Sequence, residues 1–190
     1  AYQKQGGMNK RKAGEDFYFL HKIISLGGFT ELKRAKVIPS PRISDRVPFG
    51  TGKAVGEYFE QHTSEFSTYA PESFKEIKAF VGHLDAFYNG EIELRGLSEE
   101  FKVFIISQNF ETKVQEIKSN TTDLESFKKR FFVWFDAFMV LKLVHFLRDE
   151  AYPNLPVTSA VLKLFKDLMQ QNGEVDASEL LQALRKIESE

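Results

Sequence analysis

The sequence predicts a mainly α fold, a multi-helix C-terminal domain over about 53–190 preceded by a small helix-strand-loop segment over about 1–52. Three observations lead there. Beyond residue 53 the apolar residues recur almost everywhere at helical spacing. Only one short run reads as a strand. With 42% hydrophobic residues and 19 Phe among 190, the chain can bury the core of one ordinary domain, or of one domain carrying a short piece of another.

Gly6-Gly7 opens a loop, and from about Ala13 the residues Phe17, Leu20, Ile23 and Ile24 mark a helix that Gly27-Gly28 ends, with Glu15 and Asp16 in its first turn. A strand at about Ala35 to Ile38 runs into Pro39-Ser40-Pro41, and a loop with Gly50 and Gly52 continues to about Lys53. Helices follow near 53–61, 72–89, 98–107, 109–119, 123–150, 158–171 and 177–188. Ser73 with Glu76, Thr122 with Glu125 and Asp176 with Glu179 have capping-box-like spacing. The helix over 123–150 is apolar almost all round in its second half, from Phe131 to Leu147, and is expected at the centre of the packing. Pro153 and Pro156 mark a turn rather than a domain linker. No internal repeat or low-complexity stretch is present.

The net charge of −1 conceals a division. Residues 1–53 hold eleven Lys and Arg against four acids, a balance of +7, while the remainder carries −8. The front segment is therefore suited to meet an anion, or the two parts attract each other. Without Cys the chain forms neither disulfides nor thiolate metal sites, which fits a reducing, cytoplasmic setting. The most apolar run, Phe131 to Leu147, contains Asp136, Lys142 and His145 and falls short of the roughly 20 residues a membrane span needs. Ala1-Tyr2-Gln3-Lys4-Gln5 leads into glycine and charge, so no signal peptide is expected.

Chemistry is concentrated at Gly14-Glu15-Asp16. The free N–H groups and the dipole of a helix N-terminus stabilise carboxylate charge, so an acidic pair there serves either as a plain helix cap or as a proton acceptor. Its context is Gly6-Gly7-Met8-Asn9, then Lys10-Arg11-Lys12-Ala13-Gly14-Glu15-Asp16-Phe17-Tyr18-Phe19-Leu20, with Lys22 and Gly27 beyond. This resembles the acceptor-side end of the catalytic domain of family 2 glycosyltransferases, in which a Gly-Gly loop precedes a Glu-Asp pair opening a helix. The resemblance implies that Asp16 is the base deprotonating the acceptor hydroxyl and that Glu15 helps to shape the acceptor pocket. It implies an inverting transfer, in which the acceptor oxygen attacks the anomeric carbon of a nucleotide sugar as the diphosphate leaves.

The segment Val37-Ile38-Pro39-Ser40-Pro41-Arg42-Ile43-Ser44-Asp45-Arg46-Val47-Pro48-Phe49-Gly50-Thr51-Gly52 is similar to the closing segment of bacterial members of that family. Substrate contacts are accordingly expected at Gly6, Gly7, Arg42, Ser44, Arg46, Gly50, Thr51 and Gly52. Arg42 and Arg46 have the charge to meet a diphosphate, and Gly50-Thr51-Gly52 can bring backbone amides to phosphate or sugar; a solvated basic loop is the plainer alternative. The family's Asp-x-Asp metal motif and Rossmann-like donor half are absent from these residues. The chain is therefore expected to be the C-terminal portion of a longer enzyme, inactive in isolation. It would hold no cofactor of its own, the divalent metal (Mg or Mn) belonging to the full-length enzyme. The partners implied are a nucleotide sugar and a glycan or lipid-linked acceptor, met in the cytoplasm or at the inner face of the membrane. The other class kept open is a helical protein-interaction module without catalysis, its aromatic helices forming a partner or self-association surface.

His21, His62, His83 and His145 do not form metal-ligand spacing with nearby acids, and no metal site is expected. His145, within an apolar helix, reads as a core or interface residue. Glu174-Val175-Asp176 lacks the alternating oxygen ligands of a calcium loop. No nucleophilic triad and no phosphate-binding Gly-Lys-Ser/Thr loop occurs. Despite Lys10-Arg11-Lys12, nucleic acid is not an expected partner, because the following domain is acidic and the pI is near 6.5.

Overall fold

In the computed structural model the chain is mainly helical; it describes residues 3, 6–8, 14–24, 26, 27, 30, 32, 35, 37, 38, 40, 42, 43, 50–61, 66–169 and 181–186. Two compact units result, one of residues 1–65 with 188–190, the other of 66–187.

The first unit contains α1 (Glu15–Ile24) and α2 (Thr51–Gln61). The strand expected over 35–38 is not observed: Ala35, Val37 and Ile38 lie outside regular structure, Val37 and Ile38 being 91% exposed. A β-branched pair becomes a strand only when a neighbouring strand takes up its hydrogen bonds. No such neighbour is found among the described residues. Gly50, Thr51 and Gly52, expected as a continuous loop, divide instead: Gly50 has φ +101°, and Thr51 and Gly52 begin α2.

The second unit comprises β1 (Ser67–Thr68), α3 (Pro71–Gly82), α4 (Leu84–Asn89), α5 (Glu99–Ser107), α6 (Phe110–Ser119), α7 (Leu124–Trp134), α8 (Ala137–Glu150), β2 (Leu155–Pro156) and α9 (Val157–Met169). Helical residues recur at 181–186, inside the span expected at 177–188. Helix starts follow side-chain chemistry. Ser98 Oγ accepts from Phe101 N at 3.2 Å, Asp123 Oδ1 from Ser126 N at 2.8 Å, and Asp136 Oδ1 from Met139 N at 2.9 Å. Pro71 occupies the first turn of α3, where its missing N–H has no intrahelical bond to lose. Ser73 is therefore not a cap; it is buried within α3. The cap expected at Thr122 falls on Asp123. The Asp176–Glu179 pair lies outside the described residues.

Two expected long helices are broken. The 72–89 run divides at His83 into α3 and α4, and the 123–150 run divides at Phe135-Asp136 into α7 and α8. Both breaks serve one core. Phe80 is fully buried, with its ring 5.1–5.9 Å from those of Phe87, Phe101, Phe110, Phe131 and Phe135, so that α3, α4, α5, α6 and the end of α7 meet around one side chain. Leu143 and Leu147 of α8 complete this cluster. Most of the phenylalanine content of this unit thus builds the interior rather than a surface.

β1 and β2 pair antiparallel, Ser67 opposite Pro156 and Thr68 opposite Leu155, and Val157 N donates to Phe66 O at 2.8 Å. Pro156 is tolerated because a two-stranded ribbon has an edge on each side. The ribbon places α9 beside α3.

Candidate functional site

The sequence-derived site lies in the first unit. Gly6 and Gly7 have φ of +72° and +67°, and Gly6 N donates to Gln3 O at 3.1 Å, making a tight turn of the kind glycine permits. Gly14, also left-handed at φ +72°, precedes α1, and its carbonyl accepts the first helical bond from Tyr18 N at 3.1 Å. Glu15 and Asp16 therefore occupy the first turn, as expected. Asp16 is exposed, and its Oδ1 accepts from Phe17 N at 2.8 Å, one of the donors that a helix start leaves without an intrahelical partner.

Arg42 is exposed, its N donating to Ser40 O at 2.9 Å. The neighbouring Ile43 lies against α2 at Gly56, where a Cβ would stand 3.3 Å from Ile43 Cγ2. Gly56 thus lets the Arg42-Ile43 loop lie close over the helix that Gly50, Thr51 and Gly52 open. The side chain of Thr51 is not described, and Ser44 and Arg46 lie outside the described residues. Among the described residues no hydrogen bond or ion pair joins Glu15 or Asp16 to Arg42, and no three His, Asp or Glu side chains converge as metal ligands.

The second unit holds features that the sequence did not single out. Between α3 and α9 runs a groove of about 720 Å³, walled by Pro71, Phe74, Lys75 and Lys78 on one side and Val157, Ala160, Val161 and Leu164 on the other, with Thr68 and Tyr69 from the ribbon. Lys163 Nζ donates to Glu72 Oε1 at 3.0 Å and clasps the two walls together. Burial opposes the charge on Glu72, but the Lys163 hydrogen bond, a backbone hydrogen bond and the charges of Lys163 and Lys75 together outweigh it and hold this carboxyl below its ordinary value. Tyr69 Oη and His145 Nε2 are 2.8 Å apart, so His145 ties the chain just after β1 to α8. Glu76 accepts from Ser98 N and Ser98 Oγ, each at 2.8 Å, and from Tyr152 Oη at 3.0 Å, which locks α3, the start of α5 and the chain beyond α8 together. Burial, then the hydrogen bond and charge of Glu76, push the Tyr152 phenol above its ordinary value. The signal for the groove was present as two stripes at i, i+3, i+4 and i+7, 71/74/75/78 and 157/160/161/164. What the sequence lacked was any sign that they meet.

No helix among the described residues is long and apolar enough to cross a membrane. The sequence matches no family model, no curated protein and no solved structure.

Proposed function

We propose that residues 1–52 are the acceptor-side end of a family 2, inverting, nucleotide-sugar-dependent glycosyltransferase of GT-A type, acting in polysaccharide or glycoconjugate synthesis. The observation that supports this reading best is the exposed Asp16 carboxylate in the first turn of α1, behind the left-handed Gly6, Gly7 and Gly14. In this role Asp16 takes the proton of the acceptor hydroxyl, while Glu15 helps to shape the acceptor pocket. Arg42 and Arg46, with the amides at the start of α2, counter the negative charge of the departing diphosphate. The divalent ion and the sugar donor belong to a donor half that these residues do not supply, because the sequence contains no Asp-x-Asp. On this reading the chain by itself transfers no sugar, and measurable transfer by residues 1–190 would defeat that claim. In an enzyme joining these residues to a donor half, Asp16→Asn lowers transfer by about 10²–10⁴-fold without changing the fold, the usual scale for a lost general base. Turnover close to that of the parent would remove Asp16 from the role.

The second reading, a helical interaction module, is favoured by one observation. Val103 and Ile106 stand 59% and 60% exposed on adjacent turns of α5. Partner binding or self-association that survives Arg42→Ala and is lost on Ile106→Glu would select it.

A further inference from the structure

We propose that the cavity between α6 and α7 is a binding site for a sugar acid, a single polyhydroxylated ring carrying one carboxylate. The inference uses residues of the second unit alone and stands whether or not the transferase reading holds. The cavity measures about 350 Å³, at the lower end of the roughly 300–1,000 Å³ range of small-ligand sites, which suits one ring rather than a long chain. Lys113, Glu116 and Ile117 line it from α6, with Asn120 at the C-terminal cap of that helix, at the i, i+3, i+4, i+7 spacing of one helical face. Arg130, Val133 and Trp134 line it from α7 in the same way.

Three cations follow one another on α7. Lys128 Nζ meets Asp85 Oδ1 at 2.6 Å and Lys129 Nζ meets Glu125 Oε1 at 3.5 Å, whereas Arg130 is exposed and has no hydrogen bond or ion pair among the described residues. Its planar guanidinium lines the cavity with its donors open, in the fork geometry that grips a carboxylate through two parallel bonds. Lys113 is neutralised by Glu116, so the described lining carries one net positive charge. Trp134 supplies the flat surface. Phe110 stacks on it at 6.1 Å and Phe131 meets it edge-on at 5.4 Å, so the core fixes the indole before a ligand arrives. The Trp134 Nε1–H makes no hydrogen bond among the described residues, and Asn120, which donates through Nδ2 to Glu116 O, keeps its Oδ1 open. These two groups offer a donor and an acceptor to ring hydroxyls. A plain cyclic acid would engage Arg130 and the indole yet leave both unused, and a neutral sugar would leave Arg130 unused.

Trp134 is the chain's only tryptophan, so its fluorescence reports on the site directly. The test titrates the full chain with glucuronate, glucose and cyclohexanecarboxylate at constant ionic strength, with calorimetry as the second readout. Glucuronate is expected to saturate one site with a change in tryptophan emission, about tenfold or more tighter than either control. Arg130→Gln should bring glucuronate down to the level of glucose while leaving Tm unchanged, since Arg130 has no partner to lose among the described residues. Lys129→Gln, one residue away and not part of the lining, should leave binding unchanged. The comparison of three ligands on the parent chain decides even without a variant. No saturable change at tens of millimolar glucuronate, equal affinity for glucuronate and either control, or equal losses in Arg130→Gln and Lys129→Gln would each overturn the proposal.

Discussion

Truncating Phe80 to alanine should be the most damaging single change in the 66–187 unit. The side chain is fully buried and meets rings from α4, α5, α6 and the end of α7, Phe101 and Phe135 at 5.2 and 5.1 Å among them. Removing a buried phenylalanine costs about 3–5 kcal/mol in transfer and cavity terms. The upper end applies here, because the cavity walls come from separate helices, each held by its own contacts, and a void shared among them closes poorly. A unit of about 120 residues has an unfolding entropy near 0.25 kcal/mol per kelvin at its midpoint, so the loss corresponds to a fall in Tm of about 12–20 °C. The assay is thermal and urea unfolding followed by circular dichroism at 222 nm. Phe132→Ala is the control: it is of the same residue type, on α7 beside the core residue Phe131, but 47% exposed, and it should cost under about 1.5 kcal/mol. A Phe80→Ala loss below about 1 kcal/mol, or one equal to that of Phe132→Ala, would refute a core centred on Phe80.

Glu76→Ala strands the Ser98 amide and the Tyr152 hydroxyl together, and should cost about 2–3 kcal/mol in urea unfolding; a double-mutant cycle with Ser98→Ala should give coupling above about 0.5 kcal/mol, and strict additivity would deny the cluster. Tyr152 also gives the unit an alkaline limit. Its folded value is raised above the unfolded one near 10, so its contribution is complete below about pH 10 and lost as pH rises through the folded value. Tyr152→Phe should flatten the loss of stability above about pH 10 relative to the parent, and an unchanged alkaline slope would assign that loss to other groups.

Much of the helical domain was legible because short-range chemistry set it. Ser98 before Glu99-Glu100 announces α5, and the apolar spacing of 110, 114 and 117 gives the buried face of α6. The breaks were harder, since Phe135-Asp136 carries no glycine or proline and the Gly82 that ends α3 is a lone glycine inside an otherwise helical run. The continuous apolar appearance of 131–147 contained the clue. At 100° per residue, Val144 lies about 180° from Phe135 in an unbroken helix, yet both are buried. Ending α7 at Trp134 and restarting at the Asp136 cap lets each half turn its own apolar stripe inward. The two-residue strands were beyond reach, because nothing local tells Ser67-Thr68 to pair with Leu155-Pro156. The strand expected at 35–38 has the reverse cause, a local propensity with no partner among the described residues. Of the candidate site, the sequence located the Glu15-Asp16 helix start, and it missed that Thr51 and Gly52 belong to a helix, because glycines on either side of a threonine read as loop.

The ribbon also determines how the second unit would bear load. The chain enters the ribbon at Phe66 and leaves it at Val157, and the two residues are hydrogen-bonded to each other at the same end of the antiparallel pair. Tension applied through these two points pulls across the ribbon and meets its bonds one after another, as in a zipper, instead of shearing them all at once. The helices from α3 to α8 would feel no force until that short clasp had opened, so the first mechanical event should be the release of α9 from α3 at low force, with the phenylalanine core still closed.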